Sequence, residues 1–106
     1  MKKLRIAVIG AGKMGRLHSR IYSQMDQVDL VAIVDSQPEK ARQLVSEYGG
    51  TAFSDPAEII DQVDAVTVSV PTEFHATVAE PFLKRGLAVM VEKPLADTLE
   101  QGWQML

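Results

Sequence analysis

Cysteine does not occur in this chain of 106 residues, which removes disulfides, thiolate metal sites and thiol nucleophiles together. The absence fits a reducing, cytoplasmic setting. Long apolar runs are missing as well: nothing approaches the roughly 18 consecutive apolar residues of a membrane-spanning helix. Aromatic residues make up only 6% and the net charge is a modest −3, with the basic residues scattered among acids. A basic stripe interleaved with rings, the footprint of a nucleic-acid surface, is therefore not expected. The two histidines, His18 and His75, stand far apart with no ligand cluster beside them, so no metal site is expected either. Repeats, low-complexity tracts and linkers are absent. What remains is ordinary globular composition, 46% hydrophobic and 24% charged, at a length that suits one domain over residues 1–106.

The start of the chain carries the most information. Met1-Lys2-Lys3-Leu4-Arg5 ahead of an apolar stretch imitates a signal peptide, but that stretch is short and runs into Lys13 and Arg16 instead of a small-residue cleavage site. Leu4 to Ile9 reads as a strand buried on both faces. Gly10-Ala11-Gly12-Lys13-Met14-Gly15 follows directly, and Met14, Leu17, Ile21 and Met25 then recur at helical spacing as an expected inner face. A second apolar strand, Leu30 to Val34, ends on Asp35, twenty residues beyond Gly15. Strand, G-x-G-x-x-G turn, helix, strand, acid is the arrangement of a dinucleotide site. Gly10 turns the chain out of the strand, Gly12 leaves room for a pyrophosphate, and Gly15 lets the helix pack closely on the sheet. Unpaired N–H groups around Lys13 and Met14 then face the phosphates, and Asp35 reaches the adenosine ribose. A P-loop is excluded, because its glycine spacing and its Gly-Lys-Ser/Thr ending are not present.

The rest of the chain repeats the alternation. Pro38 opens a helix with Ser36 as its expected cap, an inner face of Ala41, Leu44, Val45 and Tyr48, and a stop at Gly49-Gly50. Thr51–Phe53 is a short strand, Ser54-Asp55-Pro56 caps a short helix to about Gln62, and Asp64–Val70 is a buried strand. A helix is expected from about Glu73 to Arg85, with Val78, Ala79, Phe82 and Leu83 inward, Pro81 inside it as a kink, and Gly86 closing it. Leu87–Val91 is the fifth strand, and a last helix starts near Asp97. Such alternation predicts a Rossmann-type, doubly wound parallel α/β sheet of five strands in the order 3-2-1-4-5. Ligands of such sheets bind where the strand order reverses, which brings Gly10–Gly12, Val70–Thr72 and Glu92–Pro94 to one cleft.

Three stretches, VIGAGKMGRLHSR (Val8–Arg20), VPTEFHATVAEPFLKRG (Val70–Gly86) and VEKPLA (Val91–Ala96), together resemble the N-terminal domain of the glucose-fructose oxidoreductase, inositol dehydrogenase and rhizopine-catabolism (Gfo/Idh/MocA) family. The resemblance covers nearly the whole chain. The glycine motif is shared widely, whereas Pro-x-x-x-His followed by Glu-Lys-Pro is more specific, and the wording is most similar to the nucleotide-sugar 3-dehydrogenase branch. The resemblance implies an NAD(P)-dependent oxidoreductase acting on a sugar, cyclitol or nucleotide sugar. It implies that Val70, Pro71, Thr72 and His75 lie beside the cofactor together with Gly10, Gly12, Lys13, Met14, Gly15 and Asp35. It also implies that Lys93 is the active-site lysine, with Glu92 alongside. An ammonium there would stabilise negative charge on the substrate oxygen. Asp35 favours NAD over NADP, since a carboxylate accepts from ribose hydroxyls and repels a 2′-phosphate. Lys40 and Arg42, close by in sequence, weigh in the other direction.

Family members continue into a mostly antiparallel C-terminal substrate domain, whereas this sequence ends within an expected helix at Trp103-Gln104-Met105-Leu106. Two readings of function stand side by side: the cofactor domain of an oxidoreductase, and a module that holds NAD without turnover by itself. Leu99, Trp103 and Leu106 share a helical face, which suggests a homo-oligomer.

Overall fold

The computed structural model describes residues 3–70 and 74–91. Its sheet has five parallel strands in the order β3-β2-β1-β4-β5, as the alternation predicts. They are β1 (Leu4–Ile9), β2 (Val28–Val34), β3 (Thr51–Phe53), β4 (Ala65–Val68) and β5 (Ala88–Val91). Three α-helices connect them, α1 (Lys13–Ser23), α2 (Pro38–Tyr48) and α3 (His75–Lys84), together with a short 3₁₀ turn at Pro56–Ile59. The expected helix from Asp97 lies outside the described residues.

Strand composition explains the middle of the sheet. Ala7, Val8, Ile33, Val66 and Val68 are all essentially without exposure, which is how strands read when helices cover both faces. Side chains alternate between two cores. One joins Ala7, Ile9, Ala32, Val34, Val66 and Val68 to Ile59 and Phe82. The other joins Ile6, Val8, Leu30 and Ile33 to Tyr22, Ala41 and Leu44. At the opposite end of the sheet, the Asp64 carboxylate accepts from the Arg5 backbone N–H at 2.9 Å and from its guanidinium at 3.1 Å. That hydrogen bond, with the neighbouring charge, holds the guanidinium above its ordinary pKa.

The helices depart from the reading by periodicity at three places. On α1, Met14, Leu17 and Ile21 face outward, each about two-fifths exposed, as is Met25 in the loop just after the helix, and the buried residues are Gly15, Ser19 and Tyr22. The reason is proximity. A Cβ built on Gly15 would fall 1.8 Å from the Gly10 carbonyl oxygen, so the start of the helix lies too close to β1 for large side chains. Small residues make the contact instead. Ser19 Oγ donates back to the Gly15 carbonyl, and only a full turn later does Tyr22 reach down, its hydroxyl 2.6 Å from Thr67 Oγ1. His18 stacks on Tyr22 with ring centroids 6.1 Å apart.

On α2, Ser36 is not the cap. Gln37 occupies the N-cap position without a side-chain bond to the helix, and its own N–H donates to the Asp35 carboxylate at 2.8 Å. On α3, Leu83 is exposed, while Ala79 and Phe82 are buried as expected and His75 joins them. The helix continues through Pro81. Before the 3₁₀ turn, Asp55 accepts from the Ala57 N–H, so the cap expected from Ser54-Asp55-Pro56 is made by the aspartate.

Candidate functional site

The register brings Ile9, Val34 and Val68 level with one another, so the chain leaves β1, β2 and β4 at a common height. A cavity of about 560 Å³ opens there. Gly10, Ala11 and Gly12 form its floor, Asp35, Ser36, Gln37 and Lys40 one wall, and Ser69, Val70, Phe74 and Val78 the other. Ile9, Val34, Ser54 and Pro56 complete the lining.

Each glycine of the turn has a separate steric reason. Gly10 has φ of +107°, a conformation that side chains disfavour, and a Cβ there would lie 2.6 Å from the Ser69 carbonyl oxygen. Gly15 is the close helix-to-strand approach. Gly12 is the reverse case: a Cβ would meet nothing within 4 Å. Glycine is not needed there for packing, and the space it leaves belongs to the cavity.

Gly12 is also the N-cap of α1. It makes no side-chain cap bond, and the first turn carries no acid but begins with Lys13. An 11-residue helix with uncapped N–H groups and a positive dipole end beside an open space is chemistry suited to an anion, above all a phosphate.

Asp35 ties its own wall to the floor. One carboxylate oxygen accepts from the Ala11 N–H at 2.8 Å, the other from the Gln37 N–H at 2.8 Å. Each oxygen keeps a second acceptor site, so the group is fixed in place and still able to receive hydroxyl donors. Lys40 lines the same cavity.

The structure therefore brings Gly10, Gly12, Asp35 and Val70 together around one space, with Lys13, Met14 and Gly15 in the adjoining helix start. His75 does not line it. Its ring is buried at 3% exposure, with Nε2 2.7 Å from the Val70 carbonyl oxygen. Pro71, Thr72, Glu92 and Lys93 lie outside the described residues. The sequence reading passed over Ser69, Phe74 and Val78 as lining residues. Phe74, at the N-cap of α3, is half exposed, and no local pattern marked it, Ser69 or Val78. Among the described residues no group of three or more histidine, aspartate or glutamate side chains is placed to hold a metal ion, and no helix is long and apolar enough to cross a membrane.

Parallel order, glycine turn, open helix start and strand-end acid define the class: a dinucleotide-binding Rossmann domain. The chain belongs to the oxidoreductase family with an NAD-binding Rossmann fold, Gfo/Idh/MocA, whose model matches residues 4–106. It is 33% identical over 102 residues to the UDP-N-acetylglucosamine 3-dehydrogenase of Acidithiobacillus ferrooxidans, covering 96% of this chain and 32% of that protein. It is 37% identical over 106 residues to the D-glucoside 3-dehydrogenase of Escherichia coli, covering 96% of this chain and 30% of that protein. Among solved structures it resembles GenD2 from gentamicin A biosynthesis in complex with NAD, with a TM-score of 0.84 and 31% identity over 90% of this chain and 28% of that one. The chain thus spans about a third of the length of the curated relatives it matches.

Proposed function

We propose that this chain is the cofactor-holding domain of a dehydrogenase that oxidises a hydroxyl-bearing carbon of a sugar, cyclitol or nucleotide sugar, or reduces the corresponding carbonyl, with NAD as hydride carrier. The observation that carries the reading is the uncapped start of α1 above the open space at Gly12, in a cavity walled by Asp35. The chain's own residues divide the work. The α1 N–H groups bind the pyrophosphate, Asp35 accepts from the adenosine ribose hydroxyls, and the Ser69–Val70 wall bounds the opposite side of the cavity. When bound, the cofactor supplies the nicotinamide carbon that takes or gives the hydride. Lys93, assigned on its Glu-Lys-Pro motif, polarises the substrate oxygen and stabilises the charge that develops on it.

NAD is preferred over NADP because an anionic Asp35, already fixed by two backbone donors, stands where a 2′-phosphate would have to sit. Lys40 on the same wall offsets part of that repulsion. A cytoplasmic setting fits the chain without cysteine, and the exposed apolar side chains of α1 are consistent with a homo-oligomer. Because the chain spans about a third of its relatives, a second reading is that this length holds NAD without turning over substrate on its own.

Calorimetric titration with NADH and, separately, NADPH tests the reading. Preferential NADH binding that is lost in Asp35→Ala and in Gly12→Val is the expected result. A folded sample that takes up neither nucleotide would overturn it.

A further inference from the structure

His75 is the first residue of α3 and is buried at 3% exposure. Its Nε2 lies 2.7 Å from the carbonyl oxygen of Val70. A carbonyl can only accept, so Nε2 carries the proton. The other ring nitrogen, Nδ1, is buried with no partner among the described residues. An unpaired buried nitrogen is unfavourable, and a leucine in the same space would carry no such penalty. What the imidazole contributes in return is the donor to Val70.

Val70 lies just beyond β4, which ends at Val68. It lines the cavity, and the peptide joining it to Ser69 is pressed against the glycine turn. A Cβ on Gly10 would lie 2.6 Å from the Ser69 oxygen and 3.2 Å from the Val70 nitrogen. Ser69 N–H is held in turn by the Ile9 carbonyl at 2.7 Å. His75 thus holds the carbonyl of Val70, the residue whose own N–H side belongs to the peptide packed against the glycine turn. In the strand order, Val70 stands on the β4 side of β1 and Asp35 on the β2 side, so this contact bears on the half of a dinucleotide that Asp35 does not reach.

We propose that His75 is a positioning residue for the cofactor: by donating to the Val70 carbonyl it sets the segment that leaves β4 against the glycine turn, and so governs binding of the nicotinamide half without touching the ligand. The assignment rests on the NAD-binding reading above.

The test compares NADH with ADP, which contains the adenosine and pyrophosphate alone, on the wild-type chain and on His75→Leu, His75→Asn and His75→Gln. Leucine has no donor and asparagine is too short to reach Val70, whereas the glutamine amide can stand in for Nε2. The expected result is NADH binding five- to tenfold weaker in the leucine and asparagine variants, about the effect of losing one neutral hydrogen-bonded contact. ADP binding stays within about twofold, and glutamine restores NADH affinity. Equal losses for both nucleotides, or unchanged NADH binding in folded leucine or asparagine variants, would overturn the assignment. Failure of both variants to fold, seen by circular dichroism, would also overturn it by making His75 a folding residue. A folded wild type that binds no NADH would instead remove the cofactor reading itself.

Discussion

Gly12 and Gly15 stand three residues apart on the same turn, and alanine at each should fail for opposite reasons. At Gly15 a Cβ would sit 1.8 Å from the Gly10 carbonyl oxygen, backbone that is itself wedged against Ser69. The helix start would have to retreat from β1 by roughly 1 Å or more, and against backbone this close the overpacking cost falls at the upper end of the usual range, about 3 kcal/mol. Alanine gains about 1 kcal/mol in helix propensity over glycine, which lessens the loss without reversing it. A net destabilisation of about 2 kcal/mol is expected, or about 10 °C in Tm for a domain of this size. At Gly12 nothing lies within 4 Å of the new methyl, and its φ of −81° is open to alanine. The stability loss there is under about 1 kcal/mol, the effect of a poorer N-cap, while NADH affinity falls at least tenfold because the methyl occupies the phosphate space. Urea melts followed by circular dichroism give the first quantity and calorimetric titration the second. A Gly15→Ala chain as stable as wild type would refute the close approach of α1 to β1. A Gly12→Ala chain with undiminished NADH affinity would refute the cradle.

Tyr22→Phe should cost about 1–2 kcal/mol in urea melts, because it leaves the buried Thr67 hydroxyl without its 2.6 Å partner; adding Thr67→Val should recover part of the loss, and additive effects would deny the bond. Leu17→Gln and Ile21→Gln, both on the exposed side of α1, should each change stability by less than about 0.5 kcal/mol, and losses of 2 kcal/mol or more would return them to the core. Phe82→Ala, which empties the centre of one core, should cost about 3–5 kcal/mol, read by the same melts. Asp35→Asn should weaken NADH binding while narrowing the preference over NADPH, and a preference that stays the same would shift the origin of cofactor choice away from the carboxylate.

The strands were readable from the chain because β1, β2 and β4 are short apolar runs rich in valine and isoleucine, and glycine precedes the shorter β3 and lies just ahead of β5. The glycine turn was readable because close packing demands Gly10 and Gly15 while Gly12 opens onto free space, and Asp35 because it directly follows the end of β2. The inner face of α1 was not. Periodicity assumes that apolar bulk points inward, whereas here the helix is drawn so near the sheet that Gly15 and Ser19 are what fits. Ser36 looked like a cap, but the helix begins one residue later, with Gln37 at the N-cap position and its N–H donated to Asp35. His75 drew attention as a cleft residue, and its place beneath Val70 depends on how α3 meets β4, a tertiary relation that no local pattern encodes.

Asp35 carries a consequence for anyone wishing to change the coenzyme of this fold. The carboxylate is at once a candidate selector of the ribose and the clasp between two loops, receiving Ala11 from the turn and Gln37 from the start of α2. Replacing it with a neutral or basic residue to admit a 2′-phosphate would also unfasten both amides. Redesign towards NADP would therefore have to supply two new acceptors along with the new cation. Selectivity at this position is inherited with the architecture, and the two would have to be exchanged as one part.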